Sequence, residues 1–309
     1  MNTRLGALVT LTFLAAACDG GSNDEVASNT PATSAALDTV EGTGRPEPPM
    51  LGAHAVRGAS AFGGTSALMV SHGGAVLTGA AVKAIFWGAS WSDPTFVGDK
   101  ITGIDSFYNG YGGSHYASAS TEYAGTNGQV GTAVAYDGHL VDTSAAPSRA
   151  PKVSAIGAEV CKVITSPVAN GYYPVYTSTP RGSANYCAWH SYGACNGVPV
   201  QIAFFFKLDS DPGCDPQDTA SSHSQGLAAL ANVSAHELSE AMTDPRNGGW
   251  YDSSGAENGD KCAWTFNVPF VTLTNGTTWK VQGEWSNAAY KAGTGYPNRN
   301  GQSGCLSGI

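Results

Sequence analysis

Charge is scarce in this chain. Only 13% of its 309 residues are charged, Lys and Arg together number 15, and the formal net charge is -9. There is no basic cluster to neutralise phosphates, which excludes an electrostatic nucleic-acid footprint. Beyond Leu14 no stretch is apolar enough to cross a bilayer. The G-x-S-x-G elbow and the G-x-x-x-x-G-K-[ST] loop are both missing, and with them the usual signals of a serine esterase of the α/β-hydrolase kind and of a P-loop nucleotide enzyme. No C-x-x-C pair occurs, so a thiolate metal site lacks its spacing. No internal repeat is visible. What the chain does have is Gly, Ser, Thr, Asn and aromatic side chains in abundance, the balance of a secreted, loop-rich globular domain and not of a disordered one.

The N-terminus reads as an export signal. One basic residue, Arg4, precedes a short apolar run at 5–14, and Ala15-Ala16-Ala17 stand directly before Cys18. Charge, short apolar core and small residues in that order make a secretory signal too short to span a membrane. The alanines followed by Cys resemble a lipoprotein box, although Leu14 lies four places before the Cys where three is usual. The expectation is a lipoprotein signal peptide at 1–18 with Cys18 lipidated, and the competing reading is an ordinary signal peptide with Cys18 free. The protein is then exported to the cell envelope, lipid-anchored or secreted, and touches a membrane only through that anchor.

Setting Cys18 aside leaves six cysteines: Cys161, Cys187, Cys195, Cys214, Cys262 and Cys305. An even number in an exported chain suggests up to three disulfides. A bridge from Cys262 to Cys305 would tie the C-terminal tail to the segment that carries the chemistry.

Residues 19–79 show acidic, Thr/Ser/Ala/Pro-rich composition without sustained apolar periodicity, and are read as a disordered tether. The domain is expected at 80–309, long enough for one sizeable core. Strands are expected at 82–87, 130–136, 172–178 and 198–207, the last holding the unbroken apolar run 202–206 of a buried strand. Helices are expected at about 100–108 and 222–243. The second has apolar Leu227, Leu230, Val233, Leu238 and Ala241 at helical spacing and stops at Asp244-Pro245, because the residue before proline avoids helical geometry. These elements predict a single α+β domain of zincin-like architecture, with a mixed sheet and a long active-site helix.

On that helix His236 and Glu240 are four residues apart, so both emerge from one face and can meet one ion. Glu237, beside His236, can take a proton from metal-bound water. This is the logic of the H-E-x-x-H helix with Glu in place of the second His. An anionic second ligand weakens Lewis acidity and also suits harder ions. Glu257 follows Glu240 by 17 residues, an arrangement that resembles gluzincins, in which a later Glu completes the site and a nearby acid orients the first His. Glu257 is therefore expected as third ligand and Asp260 as orienter, with the reverse assignment open. Asp244 ranks below both because an Asp before Pro often only ends a helix. The expected ion is zinc. The plain alternative is a solvated polar helix face.

Asp209, Asp211 and Asp215, with Asp218 nearby, crowd around Gly213 as calcium ligands do, off the EF-hand spacing, and turn chemistry accounts for them as well. His190, His223 and Tyr251 are candidates to stabilise an oxyanion, or ordinary structural residues.

The string at 236–245, followed by Gly249-Trp250-Tyr251-Asp252 and Glu257-Asn258-Gly259-Asp260-Lys261-Cys262, resembles bacterial relatives of the phosphate-induced protein family, the EXORDIUM-like extracellular proteins of plants. Cys187-Ala188-Trp189, residues 82–87 and Cys305 support the likeness, which spans about 80–309. The plant proteins are cell-wall growth regulators without established catalysis, so the expected activity rests on the residues themselves. That activity is zinc-dependent hydrolysis of a peptide or protein substrate. The expectation from a different class is a non-catalytic protein that binds cell-wall polysaccharide or a partner through exposed Trp250, Tyr251, Trp279 and Trp285.

Overall fold

The apolar run at 202–206 requires cover on both faces of any sheet that contains it, and the fold provides that cover. The computed structural model describes residues 46–59 and 66–308, which fall within one compact unit. The domain is mixed α+β around a five-stranded sheet made of β1 (Ala80–Trp87), β2 (Val134–Asp142), β3 (Gly171–Pro180), β4 (Ala188–Cys195) and β5 (Val198–Lys207). Their spatial order is β2-β1-β3-β5-β4. The first four in that order are parallel, and β4 closes one edge antiparallel to β5.

The helices that matter are α1 (Lys100–Tyr111), α2 (Val153–Val163), α3 (Gln225–Thr243) and the short α4 (Asn258–Lys261). Phe205 stacks on Tyr176, whose hydroxyl reaches Ser234 of α3 at 2.7 Å and Tyr108 of α1 at 2.9 Å. Ile202, on the alternate face of β5, approaches Gly157 of α2. The sheet is thus sandwiched between α2 and the α1/α3 pair. Burying each large side chain of 202–206 stabilises the fold by about 1.5–3 kcal/mol.

Local chemistry explains the element ends. Ser224 caps α3, which starts three residues after the expected 222, accepting from the Leu227 amide at 3.1 Å. β4 and β5 are joined by Asn196-Gly197 with φ of 52° and 80°, the paired left-handed residues of a tight hairpin turn. β2 begins at Val134, four residues later than the expected strand at 130–136. It alternates between half-buried and exposed positions through Asp142, as a sheet edge requires.

The tether expected at 19–79 does not extend that far. Leu51, His54, Ala55, Met69, Val76 and Leu77 are buried, the Leu51 amide donates to the His190 carbonyl, and the Leu77 amide donates to that of Met242. These apolar residues are irregularly spaced, so they carried no periodic signal although they pack. The signal peptide, Cys18 and the rest of 1–45 lie outside the described residues. No helix among the described residues is long and apolar enough to cross a membrane.

Three disulfides staple the domain: Cys161–Cys195, Cys187–Cys214 and Cys262–Cys305. The expected Cys262–Cys305 bridge is present. Disulfides of this number belong to a protein that matures in an oxidising, exported setting.

Candidate metal centre

α3 presents His236 and Glu240 one turn apart, with Nε2 of the first 3.1 Å from Oε2 of the second. α4 starts behind them, and its first turn carries Asp260, whose Oδ1 lies 3.7 Å from His236 Nε2. The Asp260 amide donates to Glu240 Oε1 at 2.9 Å, which locks α4 onto α3. From the other side the edge strand β4 contributes His190. Its register opposite Ala203 turns the ring to the α3 face, and Nε2 comes within 3.3 Å of both Glu257 oxygens and 3.9 Å of Glu240 Oε2. The donor atoms form two overlapping groups, His236–Glu240–Asp260 and His190–Glu240–Glu257, each with all atoms within 4.8 Å of one another. Glu240 belongs to both.

The four residues expected as ligands and orienter, His236, Glu240, Glu257 and Asp260, are therefore brought together, in the reverse of the first-named assignment, which the sequence had left open. Asp260 stands next to His236, while Glu257 sides with His190. His190 had been weighed only as an oxyanion donor or a structural residue, and it is a member of the donor set.

Each of these residues is buried. Burial, followed by repulsion from neighbouring carboxylates, pushes Glu240, Glu257 and Asp260 well above the ordinary carboxylate range. Burial likewise lowers His190, and burial with the charge of His190 lowers His236 to about 3. Both imidazoles are then neutral at ordinary pH, the state in which a ring nitrogen can ligate.

Several polar atoms here are buried without a hydrogen-bond partner: His190 Nδ1, His236 Nε2, Glu240 Oε2, Asp244 Oδ2 and both oxygens of Glu237. The 3.1 Å contact between His236 and Glu240 is close but not aligned as a hydrogen bond. Unsatisfied buried groups cost about 1–3 kcal/mol each and call for an explanation. The nearby ammonium of Lys261 is committed to Asp252 at 3.1 Å and to the Ser66 carbonyl at 2.7 Å. A divalent cation fits a set of two imidazoles and three carboxylates whose donor atoms lie this close together.

Gln282 controls the His236 ring. Its Nε2 donates to the Gly259 carbonyl at 2.8 Å and its Oε1 accepts from the Trp264 amide at 3.2 Å, which fixes the sense of the side-chain amide. The same Nε2 lies 3.0 Å from His236 Nδ1. In this state Nδ1 accepts and the ring proton sits on Nε2. An ion held through Nε2 would require the ring proton on Nδ1, against the sense in which Gly259 and Trp264 hold the Gln282 amide.

Glu237 is in neither donor group. Burial and then the charges of Glu240, Asp260 and Glu257 push its pKa well up, and the His54 main chain lies close enough to oppose the shift. It stands beside the ligands without being one of them.

Other expectations resolve differently. Asp244 Oδ1 accepts from the Gly248 and Gly249 amides at 2.7 Å each, so it organises the chain after α3. His223 stacks on Trp279 with centroids 4.2 Å apart, and Tyr251 stacks on His72 at 3.5 Å. Where calcium was expected, the carboxylates of Asp209, Asp211 and Asp215 point to separate partners. Asp209 pairs with Lys100 at 2.6 Å, Asp211 with Arg181 at 2.6 Å, and Asp215 Oδ1 accepts from the Gln217 amide at 2.7 Å. The exposed-aromatic expectation is corrected: Trp279 and Trp285 are 1% and 0% exposed, since both pack into the core, and Trp250 and Tyr251 are only half-buried.

No family model matches this chain. Comparison with curated proteins and with solved structures likewise gives no match. The functional reading therefore stands on geometry and chemistry.

Proposed function

We propose that this protein is an exported, zinc-dependent hydrolase of peptides with a zincin-like site. The observation that carries the reading is the pair of donor groups meeting at Glu240, fully buried, with His236 Nε2 and Glu240 Oε2 left without a hydrogen-bond partner. The mixed sheet with an antiparallel edge strand lying against the ligand helix supports a zincin-like architecture.

His236, Glu240 and Asp260 would hold the ion, with His190 and Glu257 on its other side. When bound, the ion supplies Lewis acidity and lowers the pKa of water. Glu237, next to the ligands and outside both donor groups, is the residue to accept a proton from the attacking water and return it to the leaving amine. Its raised proton affinity, caused by burial and neighbouring carboxylates, suits a base that must also act as an acid. Gln282 sets the His236 tautomer.

The signal at 1–18 and lipidation at Cys18 remain part of the proposal, and the three disulfides agree with an exported address. Polysaccharide binding through a row of exposed tryptophans loses support from the burial of Trp279 and Trp285.

Elemental analysis of the purified full chain tests the reading, with His236→Ala and Glu240→Ala beside it. Near-stoichiometric zinc in the wild type, lost in both variants, is the expected result. A well-folded wild type that takes up no divalent metal would sink it.

A further inference from the structure

Residues 51–56 pair antiparallel with residues 185–190, the first part of β4 and the segment leading into it, through two isolated bridges. Leu51 bridges His190 and Ala55 bridges Tyr186. The amides of Leu51, His54 and Val56 donate to the carbonyls of His190, Ala188 and Asn185 at 2.9, 3.1 and 3.0 Å, and the His190 and Cys187 amides donate back. This is the way an extended peptide binds to an exposed sheet edge, by main-chain pairing.

The added strand crosses the donor cluster itself. Gly52 lies at its centre with φ of 44°, and a Cβ placed there would sit 1.8 Å from Glu240 Oε2 and 2.7 Å from His190 Cδ2. Its main chain faces His236 and Glu257, and the main chain of His54 faces Glu237. The His54 ring lies over that of His236 with centroids 4.1 Å apart. The peptide groups of 52–54 thus lie against the expected ligands and the expected base.

We propose that the outer edge of β4 is the binding site for an extended, glycine-containing polypeptide running antiparallel to it, and that residues 51–56 occupy this site in the free protein. The inference rests on the peptide-hydrolase reading for what happens to such a ligand, but not for its binding. Glycine is required over Glu240 because any side chain collides with a carboxylate that α4 holds in place. The occupying strand escapes cleavage as long as it keeps the attacking water from its place, so displacement of the strand is the step that opens the site.

The test uses two variants of the full chain. Gly52→Val drives a side chain into Glu240, and Leu51→Pro removes the donor to His190 while adding no atom to the cluster. Native-state hydrogen exchange reports whether the amides of Leu51, His54 and Val56 lose protection while those of Phe204 and Phe205 keep it. The probe is a fluorescein-labelled synthetic peptide with the sequence of residues 48–57. The strand-released variants are expected to bind it about tenfold or more tighter than the wild type, and a probe carrying Val in place of Gly52 to lose about as much. Released variants that do not bind the probe overturn the inference, and so does unfolding of both, since the strand is then a fixed member of the sheet. Probe binding without zinc-dependent cleavage of any peptide leaves the inference standing and removes the hydrolase reading. Zinc uptake without probe binding does the reverse.

Discussion

Glu240→Gln separates the metal centre from every other property of the fold, because Glu240 is the one residue common to both donor groups. The substitution keeps the shape of the side chain, and the new Oε1 still accepts the Asp260 amide that Glu240 holds at 2.9 Å, so α3 and α4 stay joined. What it removes is the anionic Oε2 that faces His236 Nε2 at 3.1 Å and His190 Nε2 at 3.9 Å. At zinc about 100 times above its dissociation constant, binding to the native state adds about 2.7 kcal/mol. For a domain of this size each kcal/mol raises Tm by about 2–4 °C, so the wild type should gain about 5–11 °C. Glu240→Gln should gain almost nothing, and should melt no lower than the wild type without metal because a buried charge has gone. Differential scanning calorimetry with and without zinc, after stripping with chelator, gives both numbers. An undiminished shift in the variant would refute the assignment of Glu240 as the shared ligand.

Glu237→Gln should keep the full zinc-induced shift, since Glu237 is in neither donor group, while peptide hydrolysis falls by about 10²–10⁴ as expected for loss of a general base. Calorimetry and a peptide-cleavage assay on one preparation check the split. The carboxylates of Glu237, Glu240, Glu257 and Asp260 bind protons more tightly folded than unfolded. Their contribution to metal-free stability is full below the unfolded value of about 4 and is lost as pH rises through the folded values. Metal-free Tm should therefore fall from pH 7 to pH 8, above the range in which the lowered His190 and His236 give the opposite slope, and the zinc-induced gain should grow over the same range, because the ion displaces the carboxyl protons. Gln282→Glu supplies an acceptor to the His236 Nδ1 proton and should tighten zinc about tenfold in a competition titration with a chromogenic chelator. Replacing Cys262 and Cys305 together by Ala opens a loop of 43 residues. It should cost about 4 kcal/mol in urea unfolding, and it should also weaken zinc binding, because Cys262 directly follows α4.

The helix and the central strand were legible in the sequence because their information is local and periodic. Leu227, Leu230, Leu238 and Ala241 recur on one face of α3, and 202–206 is apolar without interruption. His236, Glu240, Glu257 and Asp260 were legible for the same reason, from spacing along the chain. His190 was not, since a lone histidine in a strand looks like any other. The usable signal was Asn196-Gly197 directly before Val198, which specifies a hairpin and therefore an antiparallel partner strand at 188–195 with His190 in it. The strand at 51–56 was hidden by Pro48, Pro49 and Gly52, residues that read as linker in isolation and find their pairing only against a distant edge. Burial of Trp279 and Trp285 depends on what the rest of the chain places over them, and composition carries none of that.

The two bridges that flank β4 give the edge strand an unusual mechanical standing. Cys187 sits directly before its first residue and Cys195 is its last, each bonded to a different part of the body. A strand riveted at both ends cannot fray, so the row of amides and carbonyls that meets residues 51–56 stays straight and His190 stays aimed at Glu240. A chain whose thiols are still reduced has that strand loose at each end, so the centre is completed by oxidation as well as by folding. Under the export and hydrolysis proposed above, the site would be finished only where those thiols are oxidised.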